Sequence, residues 1–221
     1  MLTKVKSFGL NGLEGYEVAV EVDISGGLPS YDVAGLGDTA VKESKFRVKG
    51  AVRNSLFQFP IDKVTVNLAP ANTKKEGPIY DLPIAIGILG CQDLIKREKL
   101  DEFAFVGELS LDGSIKKVNG ILPILITARD VGVTKVIIPK ENSFEASYIE
   151  GIDVYCFKNI SDVVLFLNGE KSAQRIEHNR FEDVKRTNKF TDDFKFVKGQ
   201  AVAKRALEIS AAGGHNCLMY G

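Results

Sequence analysis

From residue 16 to residue 169 the chain switches repeatedly between a hydrophobic period of two and one near 3.6. Strands that alternate with helices must bury a sheet against helices, which narrows the architecture to an α/β sandwich. "YEVAVEVDIS" alternates apolar and polar residues. With "LTKVKSF" before it and "NGLEG" between, it reads as a hairpin. "YDVAGLG" is a short strand ending in a glycine turn. Asp38 or Thr39 then caps a helix that runs to about Asn54, with Val41, Ser44, Val48, Ala51, Val52 and Ser55 on its inner face. "KVTVNLA" is a strand, and the turn "KKEGPIYDLP" leads into a helix over 82–90 that extends toward Leu94. "EFAFVGELSLDGSIKKV" reads as two strands around an Asp112-Gly113 turn. "GILPILITARDVG" is a helix closed by Gly132, "TKVIIPKEN" a buried strand, "IDVYCF" another strand, and "ISDVVLFLNG" a short helix with Ser161 as its cap. The hairpins make the expected sheet mixed, so the fold class is α/β (α+β).

Composition excludes several classes. The 221 residues carry a net charge of zero, so nothing draws the whole chain toward nucleic acid or a membrane. No apolar run approaches the ~18 residues of a membrane span, and "MLTKVKSFGLNG" lacks a signal-peptide core. Cys91, Cys156 and Cys217 lie far apart among apolar residues, without metal-ligand spacing. They read as small buried hydrophobes in a reducing cytosol, with no membrane partner. His178 and His215 read as structural or solvated, and no metal site is expected.

Composition changes at residue 170. Half of the 26 residues in 170–195 are charged, as expected of a linker. Residues 196–221 follow, with a helix over 200–212, a Gly213-Gly214 stop and a short apolar strand, "HNCLMY". A lone helix and strand cannot bury both faces. The expectation is therefore a domain over 1–169, a linker over 170–195, and the opening elements of a second, incomplete domain over 196–221.

Two local features raise functional questions. Lys42, Lys45, Lys49 and Arg53 gather on one face of the helix over 39–54, where they could meet phosphates or simply be solvated. In "KKEGPIYDLP", Asp81 is placed to cap the following helix with Pro83 in its first turn, while Lys74 and Lys75 are expected to face solvent.

"NLAPANTKKEGPIYDLPIAIGIL" and "VGELSLDGSIKKVNGILPILITARDVGVTKVIIPKEN" resemble the serine- and lysine-bearing segments of the Lon proteolytic domain. That resemblance implies a ribosomal-protein-S5-domain-2-like fold. In the Lon pattern the residue after the Gly-Pro is the nucleophilic serine, and here it is Ile79. The lysine position, two residues after the glycine of "NGIL", holds Leu122. Neither side chain can attack a carbonyl or accept a proton. Thr73, Tyr80 and Thr127 are the nearby hydroxyls, none at the required position, so no catalytic residue is assigned. A peptidase with a displaced dyad is the alternative this leaves.

Across nearly its whole length the chain also resembles the magnesium-chelatase-like AAA+ proteins of the YifB/ComM type. "GLPSYDVAGLGDTAVKES", "VTVNLAPANTKKEG", "DLPIAIGIL" and "GQAVAKRALEISAAGGHNCLMYG" carry the likeness. It implies that Gly221 is the first glycine of a phosphate-binding loop whose lysine and hydroxyl lie beyond this chain. Val197, Gly199 and Gln200 would then border an adenine pocket. It further implies ATP and Mg²⁺ in the full-length protein but none held by this chain alone. The implied partners are the chain's own ATPase domain, further copies in a homo-oligomer, a hexamer by resemblance, and DNA. The expected role is a non-catalytic accessory domain of an ATP-driven DNA-processing motor. The alternatives are the displaced-dyad peptidase and a nucleic-acid-binding domain using the basic helix face.

Overall fold

The computed structural model describes residues 1–180 and 192–220, in two compact units, Met1–Phe181 and Glu182–Gly221. The first unit is built on a seven-stranded mixed sheet. β1 (Leu2–Asn11) and β2 (Glu14–Ser25) form the expected antiparallel hairpin, with Leu10 opposite Gly15 and Gly12 at φ +63° in the turn. β3 (Ser30–Ala34) lies parallel to β4 (Lys63–Ala69), and β4 pairs antiparallel with β2. On the other side of β1, β5 (Ala104–Phe105), β8 (Lys135–Pro139) and β9 (Asp153–Phe157) run parallel. The spatial order is β3-β4-β2-β1-β5-β8-β9, and β6 (Glu108–Leu109) and β7 (Ile115–Lys116) make a separate small hairpin.

Helices cover the sheet in a pattern the side-chain alternation dictates. Val18, Val20 and Val22 of β2 and Val64, Val66 and Leu68 of β4 are buried, and the residues between them are half-buried or exposed. Against that apolar face lie α1 (Thr39–Asn54) and α2 (Asp81–Cys91). All eleven residues of α2 are buried, as expected of a helix that is apolar all round. Gly87 permits the close approach: a Cβ there would stand 2.6 Å from Val22 Cγ2. In β8 the run is buried on both faces, Ile137 in one apolar cluster and Val136 and Ile138 in the other. α4 (Ile121–Asp130) and α5 (Ser143–Ala146) belong to the second cluster, and α6 (Ile160–Leu167) to the first. α3 (Arg97–Glu102), like α5, is a short helix that hydrophobic period did not reveal.

Several local expectations are corrected. "EFAFVGEL" is two strands, because at Gly107 the backbone leaves the sheet and bonds a 3-10 turn over Pro78–Tyr80 instead. Gly107 N–H donates to Ile79 O at 3.0 Å, and Leu82 N–H donates to Gly107 O at 3.0 Å. Asn159, not Ser161, caps α6, accepting from Asp162 N–H at 2.8 Å. Residues 170–180, the start of the expected linker, bond to the first unit. Ile176 N–H donates to Val154 O and Asn179 N–H to Ser147 O, each at 2.8 Å.

In the second unit, α7 (Ala201–Gly213) starts at Gln200 and ends at Gly214, both left-handed. None of its residues is buried, and residues 215–220 form no strand. A strand needs a neighbour for its backbone bonds, and the described residues of this unit supply none. Cys217, expected to be buried, is exposed for the same reason. Among the described residues no helix is long and apolar enough to cross a membrane, and no cluster of His, Cys, Asp or Glu could hold a metal ion.

Candidate functional site

The loop before α1 and the turn before α2 meet at one carboxylate. Asp38 caps α1, its Oδ1 accepting from Val41 N–H at 2.8 Å. Its Oδ2 accepts from Gly77 N–H at 3.0 Å, which joins the helix start to the Gly-Pro turn. Lys75 lies between them: its N–H donates to Leu36 O, and its carbonyl accepts from Asp38 N–H. Contrary to the expectation of a solvated side chain, Lys75 is fully buried and its amine reaches the Pro70 carbonyl oxygen. Burial holds that amine below the usual lysine range.

Beside this junction is a cleft of about 540 Å³, with Leu10, Ile79 and Val118 as its apolar wall and Glu76, Glu108 and Lys117 at its polar edge. Asn142, fully buried, pins the wall: Val118 N–H donates to its Oδ1 at 3.0 Å, and its Nδ2 donates to Val118 O at 2.8 Å. Ile79 lines the cleft, whereas Leu122 is not among the lining side chains and packs partly buried against the neighbouring apolar cluster. Tyr80 is buried, 3.3 Å from the Tyr16 hydroxyl, and burial pushes its ionisation far above the ordinary phenol range. Thr73 bonds Asn72, and Thr127 packs against Gly15. Lys74 pairs with Glu76 in solvent at 2.6 Å. Among the described residues no lysine amine is hydrogen-bonded to a serine, threonine or cysteine side chain, the contact a hydroxyl-activating base requires.

Asp81 does not cap α2. Tyr80 occupies the cap position without a side-chain bond, and Asp81 is the first helical residue. Its buried carboxylate instead grips Arg47 of α1, with Nε donating to Oδ2 at 2.6 Å and Nη2 to Oδ1 at 3.0 Å. Leu109 N–H also donates to Oδ2, at 3.2 Å. Burial raises the carboxyl to about 6, against the lowering pull of Arg47 and the Leu109 amide. This pair ties α1, α2 and the β6–β7 hairpin together behind the cleft.

On α1 the predicted cations are all exposed: Lys42, Lys45, Lys49 and Arg53 stand on one face, and the adjoining face carries the buried Val41, Ser44, Val48, Ala51 and Val52. Two of them sit over aromatic rings. Lys45 Nζ is 4.8 Å from the Phe46 ring centroid, and Lys49 Nζ is 5.8 Å from that of Phe59. Phe46 was missed in reading the stripe, although its helical position lies at the edge, ~20° beyond Arg53.

In the second unit Val197 is exposed, and Gly199 and Gln200 both have positive φ, +68° and +55°. Lys204 reaches the Val197 carbonyl, and its N–H donates to Gln200 O at 2.9 Å. Gly221, the fourth residue assigned to nucleotide, lies outside the described residues. His178 pairs with Glu150 at 2.9 Å, and His215 N–H donates to Ser210 O at 2.9 Å.

Residues 20–142, more than half of the chain, match the family described as "Subunit ChlI of Mg-chelatase". Residues 193–221 match a second description, "Magnesium chelatase, subunit ChlI". The chain is 41% identical over 211 residues to the competence protein ComM of Haemophilus influenzae, covering 95% of this chain and 41% of that protein. It is 40% identical over 210 residues to the uncharacterized protein YifB of Escherichia coli, covering 95% and 40%. It is 30% identical over 145 residues to the Lon protease of Clostridioides difficile, covering 60% of this chain and 18% of the protease. The chain thus spans about two fifths of the length of the ComM and YifB relatives.

Proposed function

The chain belongs to the family of the ChlI subunit of Mg-chelatase, and from that membership we propose that it is a peptidase-inactive, nucleic-acid-engaging part of a larger ATP-driven machine. The observation that carries the reading is the α1 face. Four cations there are exposed, aligned and free of carboxylate ion pairs among the described residues. An aligned cationic helix face binds the phosphate backbone and displaces its counterions. Similarity to a competence protein supports DNA as the polymer.

The sheet and cleft are read as the ribosomal-protein-S5-domain-2-like fold of the Lon proteolytic domain, with hydrocarbon at both catalytic positions. ATP and Mg²⁺ would be held mainly by a phosphate-binding loop; no Gly-Lys-Ser/Thr run occurs in this sequence. What the chain offers to nucleotide is exposed backbone at Val197, Gly199 and Gln200, a shelf for a base and no cradle for phosphates. Assembly into a hexameric ring in the cytoplasm, through the chain's own ATPase domain, is part of the same proposal.

Lys45→Glu with Lys49→Glu tests the reading. The double variant should bind DNA more weakly, and the slope of log affinity against log salt should fall by about two. Unchanged binding at low salt would remove α1 from the account. The peptidase alternative meets a second test. Fluorescent casein should stay uncleaved by the purified chain, and turnover that survives Ile79→Ala and disappears with Lys75→Met would restore a displaced dyad.

A further inference from the structure

We propose that the α1 face holds a single strand of nucleic acid with an unpaired base stacked on Phe46, an inference that rests on the reading of α1 as a nucleic-acid surface. At ~100° per residue, Lys45, Lys49, Lys42, Arg53 and Phe46 fall within one arc of roughly 100°. No acidic side chain of the helix shares that arc. Glu43 lies outside it, on the side of Arg47.

Phe46 belongs to neither apolar cluster of the first unit and is 64% exposed. A single exposed phenylalanine is unremarkable on a mixed surface. One set beside four cations that have no carboxylate partner among the described residues is a different case. A protein partner that covered the ring with apolar side chains would have to desolvate those charges without pairing them, which is unfavourable. A nucleic-acid strand brings the required pair of groups together, a π-face for the ring and an anionic backbone for the cations. The Lys45 ammonium beside the Phe46 ring places the two kinds of contact next to each other. The half-buried Phe59 repeats the arrangement under Lys49.

Duplex and single strand then diverge. A duplex keeps its bases stacked inward and meets only the cations, whereas a single strand also offers a base to the ring. Fluorescence anisotropy with labelled oligo(dT) and a blunt duplex of the same length should show about tenfold tighter binding of the single strand, within the usual range for one stacked base. Phe46→Ala should erase that preference and leave duplex affinity and salt slope unchanged. Phe46→Trp should keep it. The chain has no other tryptophan, so the variant's emission should be quenched by oligo(dT) and not by duplex. Oligo(U) run beside oligo(dT) identifies the polymer by whichever binds more tightly. Wild-type affinity for oligo(dT) in Phe46→Ala, or equal quenching by both forms in Phe46→Trp, overturns the stacking proposal. If Lys45→Glu with Lys49→Glu still weakens binding in that case, the nucleic-acid reading stands without it. No binding to any of these polymers at low salt overturns both.

Discussion

Arg47→Met should cost the first unit about 3–5 kcal/mol at pH 8 and much less at pH 5, because it strands a buried carboxylate. Asp81 is 1% exposed, and the guanidinium supplies two of the three hydrogen bonds to its carboxylate, the Leu109 amide the third. Burial already lifts the Asp81 carboxyl from 3.8 to about 6 with Arg47 in place. Without the guanidinium its folded pKa must rise further, since the largest opposing influence is gone. The sign follows from linkage. A folded pKa above the unfolded one contributes stability that is complete below the unfolded value, about 3.9, and lost as pH rises through the folded value. In the wild type that loss is finished soon after pH 6. In Arg47→Met it continues above pH 6, so the gap between the two proteins widens with pH. Urea denaturation at pH 5 and pH 8 measures it, and a deficit that is the same at both would show that the pair contributes only packing. Adding Asp81→Asn to Arg47→Met removes the stranded charge while keeping an acceptor for Leu109 N–H. The double variant should therefore recover much of the loss at pH 8, a coupling expected only of residues in contact.

That pair also marks a limit of reading structure from sequence. An aspartate before an apolar helix fits an N-cap and an ion-pair partner equally well at the local level. The choice is made by Arg47, 34 positions away, which no local pattern connects to it. Asp38 was legible because a cap is a local bond, made to Val41 three residues on. Lys75 was misread for a related reason. Two lysines before a Gly-Pro turn look solvated, and only the packing of the 36–38 loop against the 75–77 turn shows that the second is enclosed. The strand alternation, the inner face of α1 and the hairpins were legible, because each is set by a period the sequence carries. Hydrocarbon at Ile79 and Leu122 was visible too, but not that only Ile79 would line the cleft. On α1 the charges stood out and the ring among them did not, since a lone phenylalanine in a helix is ordinarily assigned to the core.

The same junction makes the second large prediction. Gly35→Ala should destabilise the first unit by more than about 3 kcal/mol, from backbone strain and overpacking together. Gly35 has φ +102°, outside the range an L-residue adopts readily, and a Cβ there would stand 2.2 Å from the Leu68 carbonyl oxygen. That oxygen belongs to β4, where Leu68 pairs with Val20 of β2 and lies one residue past the last β3 pair, Ala34 with Asn67, so it is part of the sheet backbone and cannot swing aside as a flexible side chain would. Gly12 separates the two contributions. Its φ is +63° and nothing lies within 4 Å of a Cβ there, so Gly12→Ala should cost only the roughly 1–2 kcal/mol of a left-handed residue. Equal losses in the two variants would mean that backbone conformation alone restricts position 35. A much larger loss at Gly35 would locate the constraint in the contact with β4. It would also explain why a glycine precedes Asp38: the chain must pass close over the Leu68 carbonyl before it turns to present the carboxylate that starts α1 and holds Gly77 at the cleft.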